Sequence, residues 1–193
     1  MKVHTTVLFI LFSVFSFSQN TDINLLHDIN KNESPFADKS FKIITHSMIP
    51  VSVATPVTLF TMGLFTKDSV MKRNSYKVGI SIGISSLLST GLKYSINRKR
   101  PFETYSFINK KVNASDPSFP SGHATAAFAA ATSLSLSYPK WYVIAPSFLW
   151  AGSVAYSRMY LGVHYPSDVI GGIVIGVGTS WLVWEAEKRM NQK

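Results

Sequence analysis

The chain has 193 residues, 46% of them hydrophobic, and a length that suits one domain with a complete core. It contains no cysteine, which excludes a disulfide framework and thiolate metal sites and fits an oxidising or exported location. The formal charge of +9 is local: residues 67–111 hold ten Lys and Arg against Asp68 and Glu103, and with no nucleic-acid motif beside it this block points to anionic headgroups or phosphate rather than nucleic acid.

Residues 1–18 read as a signal peptide. Lys2 precedes an apolar run from Val7 to Phe17, and Ser16-Phe17-Ser18 before Gln19 forms a small-residue cleavage site. The run falls short of the ~20 residues of a comfortable membrane span. An uncleaved signal anchor is the alternative, and either way residue 19 is expected on the outer side. Residues 19–42 form an exported amphipathic segment with Leu25, Leu26 and Ile29 at helical spacing, lying on the membrane or against the bundle.

Residues 43–193 read as one helical domain. Five uncharged apolar stretches follow one another at 43–66, 78–92, 122–138, 141–157 and 169–184. Several are short and rich in Ser, Thr and Gly, as a buried soluble bundle would also allow. The runs Ile170–Trp184 and Leu59–Phe65 are too apolar all round for surface helices, and the small residues around Gly172 and Gly176 suit close helix packing in lipid. The expected fold class is therefore all-α, a membrane-embedded bundle of five to six apolar helices.

With residue 19 outside, the first crossing puts Lys67, Lys72 and Arg73 inside, and the last leaves Lys188, Arg189 and Lys193 inside. That order follows the positive-inside tendency. Residues 93–111 carry six cations on the outer side and break it, as a functional cluster would.

Between Asp116 and Glu185 only Lys140, Arg158 and Asp168 carry formal charge, and His123 and His164 are the histidines of that stretch. Ionisable groups in an apolar background cost several kcal/mol to bury unless paired, so they mark binding or reaction. Lys93 and Arg100 are two helical turns apart if the helix continues to Lys99. Pro101 disfavours helix at Arg100. Ser121 is a candidate N-cap, Gly122 permits close approach of a ligand to the backbone, and helix N-terminal amides bind phosphate. Pro166 suits the first position of a helix and Asp168 its first turn. A carboxylate beside His164 would fix the tautomer and leave the other nitrogen nucleophilic.

Taken in order, Lys93-x6-Arg100-Pro101, Pro120-Ser121-Gly122-His123 and Ser157-Arg158-x5-His164-x3-Asp168 resemble the three signature motifs of the type 2 phosphatidic acid phosphatase and vanadium haloperoxidase superfamily. All three are complete and span 93–168, and the resemblance in helix pattern runs from about 43 to 184. It implies a helical bundle and metal-independent hydrolysis of phosphate esters through a phosphohistidine. His164 resembles the nucleophile, Asp168 its orienting partner, and His123 the general acid that protonates the leaving oxygen. Lys93, Arg100 and Arg158 would hold the phosphate oxygens, with Ser121 and the Gly122 amide adding hydrogen bonds. Arg98 occupies a commonly basic position of the first motif.

Phosphoryl transfer needs in-line positioning and positive charge around the equatorial oxygens, which three fixed cations supply without Mg²⁺. No metal or other cofactor is expected. The expected partners are the bilayer and a membrane lipid phosphate: undecaprenyl diphosphate, phosphatidylglycerol phosphate, phosphatidate or a lipid A phosphate. The expected active site faces the periplasm of a bacterial-type inner membrane. The alternatives are a lipid phosphotransferase, a general acid phosphatase, a vanadate haloperoxidase, or a non-catalytic lipid-phosphate carrier. Nothing in the sequence sets the oligomeric state.

Overall fold

A computed structural model describes residues 19–190, and the regular elements among them are all helices. The expected signal peptide, residues 1–18, lies outside the described residues.

Helix α1 (Gln19–Asn30) buries Asp22, Ile23, Leu26 and Asn30. These recur every three or four residues, as one helical face requires. The stripe is set differently from the expected one, because Leu25 is 49% exposed. Polar residues displace it: the Asn30 side chain donates to the carbonyls of Tyr160 and Asn109 (2.9 and 3.0 Å) and accepts from the Asn109 amide. Ser34 caps helix α2 (Pro35–His46), accepting from the Ala37 amide, with Pro35 in the first turn. Helix α3 (Met48–Phe65) follows after a single residue.

Asp68 caps helix α4 (Ser69–Ile96) by accepting from the amides of Val70 and Met71. The helix stops where Asn97 turns left-handed, at φ 50° and ψ 44°. The two-turn stripe expected to join Lys93 to Arg100 is therefore interrupted. Arg100 is extended ahead of the short helix α5 (Pro101–Thr104), as Pro101 demands.

Helix α6 (Gly122–Ser137), capped by Ser121, packs against α4, helix α7 (Trp141–Tyr160) and helix α8 (Pro166–Met190). Its buried positions are Ala, Ser and Thr. At 16 residues it rises about 24 Å, less than the ~30 Å hydrocarbon core, and its neighbours surround it. Its contact with α8 is close because α8 offers glycines one turn apart. A Cβ at Gly172 would lie 2.6 Å from the Ser121 carbonyl oxygen, and one at Gly176 would lie 2.4 Å from that of Thr125. Ser180 adds a hydrogen bond to the Ala129 carbonyl at 3.0 Å. Small residues at such spacing are how helices associate tightly in lipid.

Two segments, Pro35–Phe65 and Pro166–Met190, are long and apolar enough to cross a membrane. The outward faces of the long helices are apolar, with Val57, Leu87, Leu149 and Val174 all more than half exposed. One end of the bundle gathers residues 97–121 and 161–165 together with α1, joined by hydrogen bonds from Lys111 N–H to the Leu161 carbonyl and from Ser118 N–H to the Arg98 carbonyl. The other end carries the turns 66–68 and 138–140 and an ion pair between Arg73 and Glu187 at 3.1 Å.

Candidate active site

The three motifs meet at the first of these ends. The Ser121 amide donates to the Asp168 carbonyl at 3.0 Å, tying the second motif to the third. The first and third are tied through Arg100, whose Nη1 donates to the Val163 carbonyl and stands 3.4 Å from His164 Nε2. Lys93, Arg100, Ser121, Arg158, His164 and Asp168 are all buried. Three cations so placed are held at a cost unless an anion accompanies them.

One anion is already there. Asp116 Oδ2 lies 2.9 Å from Lys93 Nζ and Oδ1 lies 2.7 Å from Arg100 Nη2, and its carbonyl accepts from Arg100 Nε. Burial alone would raise the Asp116 pKa, but Lys93 and then Arg100 outweigh it and hold the carboxyl at about 2. Arg158 reaches the site from the last turn of α7. Its Nη1 donates to Thr45 Oγ1 of α2 at 2.6 Å, while its buried Nε has no hydrogen-bond partner.

His164 sits between α7 and α8, and Asp168 lies one turn further on. Asp168 Oδ2 is 3.5 Å from Nδ1, close enough for charge to act, but Nδ1 makes no hydrogen bond. The reason is that Oδ2 already accepts from Ser118 Oγ (2.5 Å) and the Tyr165 amide (2.9 Å), while Oδ1 accepts from Arg98 Nη1 (2.6 Å). Burial pushes the His164 imidazole down, Asp168 opposes this, and Arg100 and Arg158 push it down further, to about 4. The ring is therefore neutral at neutral pH.

His123, in the first turn of α6, lines a cavity of about 430 Å³ together with Lys93, Asp116 and Gly122. The cavity continues between α3 and α4, where Met48, Ile49, Val53 and Ile82 alternate with Ser52, Ser86 and Thr90, so its far wall is mainly apolar. A Cβ at Gly122 would meet nothing of the protein closer than 3.8 Å. The space it leaves is therefore open to a ligand.

Two imidazoles, three cations and a buried carboxylate thus gather at one end of an apolar helical bundle. The chain belongs to the PAP2 superfamily, whose family model matches residues 74–191. An undecaprenyl-diphosphatase of Sulfolobus acidocaldarius is 33% identical over 161 residues, 76% of each chain. A lipid A 4'-phosphatase of Bacteroides thetaiotaomicron is 27% identical over 180 residues, covering 89% of this chain and 79% of its own. The crystal structure of a transmembrane PAP2 type phosphatidylglycerolphosphate phosphatase from Bacillus subtilis superposes with a TM-score of 0.74 at 25% identity, covering 95% of this chain and 96% of that one.

Four residues that touch the motif side chains escape a reading of the motifs alone: Asp22, Thr45, Asp116 and Ser118. Asp116 and Ser118 precede PSGH by a few residues, and a lone carboxylate after a run of cations was a usable signal. Asp22 and Thr45 lie far from the motifs, outside the matched residues, and nothing local marks them.

Proposed function

We propose that this lipid phosphate phosphatase transfers the phosphoryl group of its substrate to His164 and then to water. The observation that carries this reading is that Lys93, Asp116 and His123 line the polar end of a largely apolar cavity, while Asp116 bridges Lys93 to Arg100, whose Nη1 stands 3.4 Å from His164 Nε2. The phosphate oxygens would lie among Lys93, Arg100 and Arg158, with the Ser121 hydroxyl and Gly122 amide beside them. Neutral His164 attacks phosphorus in line through Nε2, and His123 protonates the departing lipid oxygen. Water then gives a proton to the now neutral His123 as it attacks the phosphohistidine, the P–N bond breaks, and phosphate leaves with both imidazoles restored. Asp168 stabilises the imidazolium-like charge by proximity, and the 3.5 Å separation is of the kind that tightens when substrate arrives.

The relatives named above act on undecaprenyl diphosphate, lipid A and phosphatidylglycerolphosphate, and these define the substrate panel. Purified protein in detergent should release phosphate from at least one member of it with EDTA present, and vanadate should inhibit by occupying the cation cage as a trigonal-bipyramidal mimic. If chelation stops turnover and Mg²⁺ restores it, Lys93, Arg100 and Arg158 do not suffice as the electrophilic cage.

The orientation follows the charge pattern, with the site facing outward and residues 66–68 inward. Single cysteines replacing the exposed Asn113 and Ser69 report it. In intact cells a membrane-impermeant maleimide should label the first and spare the second, whereas the reverse pattern would put the site in the cytoplasm.

A further inference from the structure

We infer that Asp22 and Arg98 form a positioning pair that holds Asp168 in place, so that the N-terminal helix α1 is a strut of the active site. This rests on the roles proposed above for His164 and Asp168. Asp22 is a carboxylate 5% exposed on α1. Its Oδ2 pairs with Arg98 Nη2 at 3.0 Å and accepts from the Ser167 hydroxyl, while Oδ1 accepts from the Ser167 amide at 2.8 Å. Arg98 spends its other nitrogen on the third motif, with Nη1 donating to Asp168 Oδ1 at 2.6 Å and to Ser167 Oγ at 2.7 Å. Its guanidinium lies 4.0 Å from the Tyr165 ring centroid.

One planar fork thus clamps two buried carboxylates. Fork geometry fixes direction as well as distance, which a lysine would not do. Ser118 and the Tyr165 amide hold Asp168 by Oδ2, so the Arg98 contact at Oδ1 sets the remaining rotation of the carboxylate. That rotation decides how Oδ2 faces His164. Anchoring of α1 does not require Asp22: Ile23 and Leu26 pack with Ile108 and Tyr165, and Asn30 binds three backbone groups. A buried ion pair is also a weak source of net stability, so the arrangement is better explained by orientation than by folding.

Asp22→Asn is the test, since it keeps an acceptor for the Ser167 amide and removes the charge facing Arg98. On a long-chain lipid phosphate kcat should fall by about tenfold to a hundredfold, the scale of a small misplacement of reacting groups. KM should stay within about twofold, because no phosphate contact is lost. In an Arg98→Met or an Asp168→Asn background the same change should cost nothing further, as coupled residues behave in a double-mutant cycle. Additive losses in both backgrounds, or a raised KM at unchanged kcat, overturn the positioning role. If Asp22→Asn cannot be purified folded, Ser167→Ala removes the hydroxyl that touches both Asp22 and Arg98. It should lower kcat severalfold in the wild-type background and not in Arg98→Met, and an unchanged kcat counts against the inference. His164→Ala assayed alongside separates the two readings. Activity in that variant sinks the nucleophile assignment, whereas an inactive His164→Ala beside a fully active Asp22→Asn sinks only the strut.

Discussion

His164→Ala should lose essentially all turnover while remaining folded and able to bind lipid phosphate. The ring stands between Arg100 Nη1 at 3.4 Å and Asp168 at 3.5 Å. The other imidazole of the cluster, His123, lines the cavity beside Lys93 and is assigned the leaving-group proton. Asp168→Asn should do less damage, because it disturbs tautomer and charge without removing the attacking nitrogen. In a serine protease triad the equivalent change costs about 10⁴ in kcat through the wrong tautomer. Here a loss no larger than that is expected, since Asp168 lies 3.5 Å from Nδ1 and an asparagine in its place would keep the contacts to Ser118 and the Tyr165 amide while losing the charge. Alkali-quenched labelling from a ³²P-substrate, stable to base and lost in acid, reads the intermediate directly. The wild type should carry label and His164→Ala none, and wild-type activity in His164→Ala would sink the mechanism.

Long-chain lipid phosphates should outperform p-nitrophenyl phosphate by orders of magnitude in kcat/KM. The cavity that holds His123 and Lys93 leaves the cluster between α3 and α4 along Met48, Ile49 and Val53, an exit lined for hydrocarbon. Each CH₂ moved into an apolar setting is worth about 0.8 kcal/mol. Two of them exceed the 1.4 kcal/mol that corresponds to a factor of ten. Because the tail is bound alike before and during reaction, most of the gain should appear in KM. The measurement compares a short-chain and a long-chain phosphate at fixed surface dilution. Equal efficiency on lipid and on p-nitrophenyl phosphate would describe a general acid phosphatase tethered to a membrane.

What could be read from the chain divides along a physical line. The motif residues were legible because phosphoryl transfer admits few residue types, and charges in an apolar stretch have few other reasons to exist. The helix starts at Ser121 and Pro166 were legible for the same local reason, since capping chemistry acts over three residues. The Lys93–Arg100 stripe was conditional on the helix reaching Lys99, and the condition fails because Asn97, a residue type that tolerates the left-handed cap, ends the helix after Ile96. On α1 the expected apolar stripe was displaced by Asp22 and Asn30, whose partners lie at Arg98, Ser167, Asn109 and Tyr160. Contacts of that sequence separation are settled by how the helices pack.

The carboxylate of Asp116 between Lys93 and Arg100 makes the resting site an ion exchanger. Any anion that takes the same faces of those two cations displaces a ligand already present, so its measured affinity is a difference between two occupancies. A singly charged guest replaces like with like and gains little. A phosphomonoester dianion brings an extra unit of charge to the three cations, and a diphosphate brings more. On the reading proposed above, the cage would grade its guests by charge before any chemistry begins, and the Asp116 carboxylate would return to Lys93 and Arg100 when phosphate leaves.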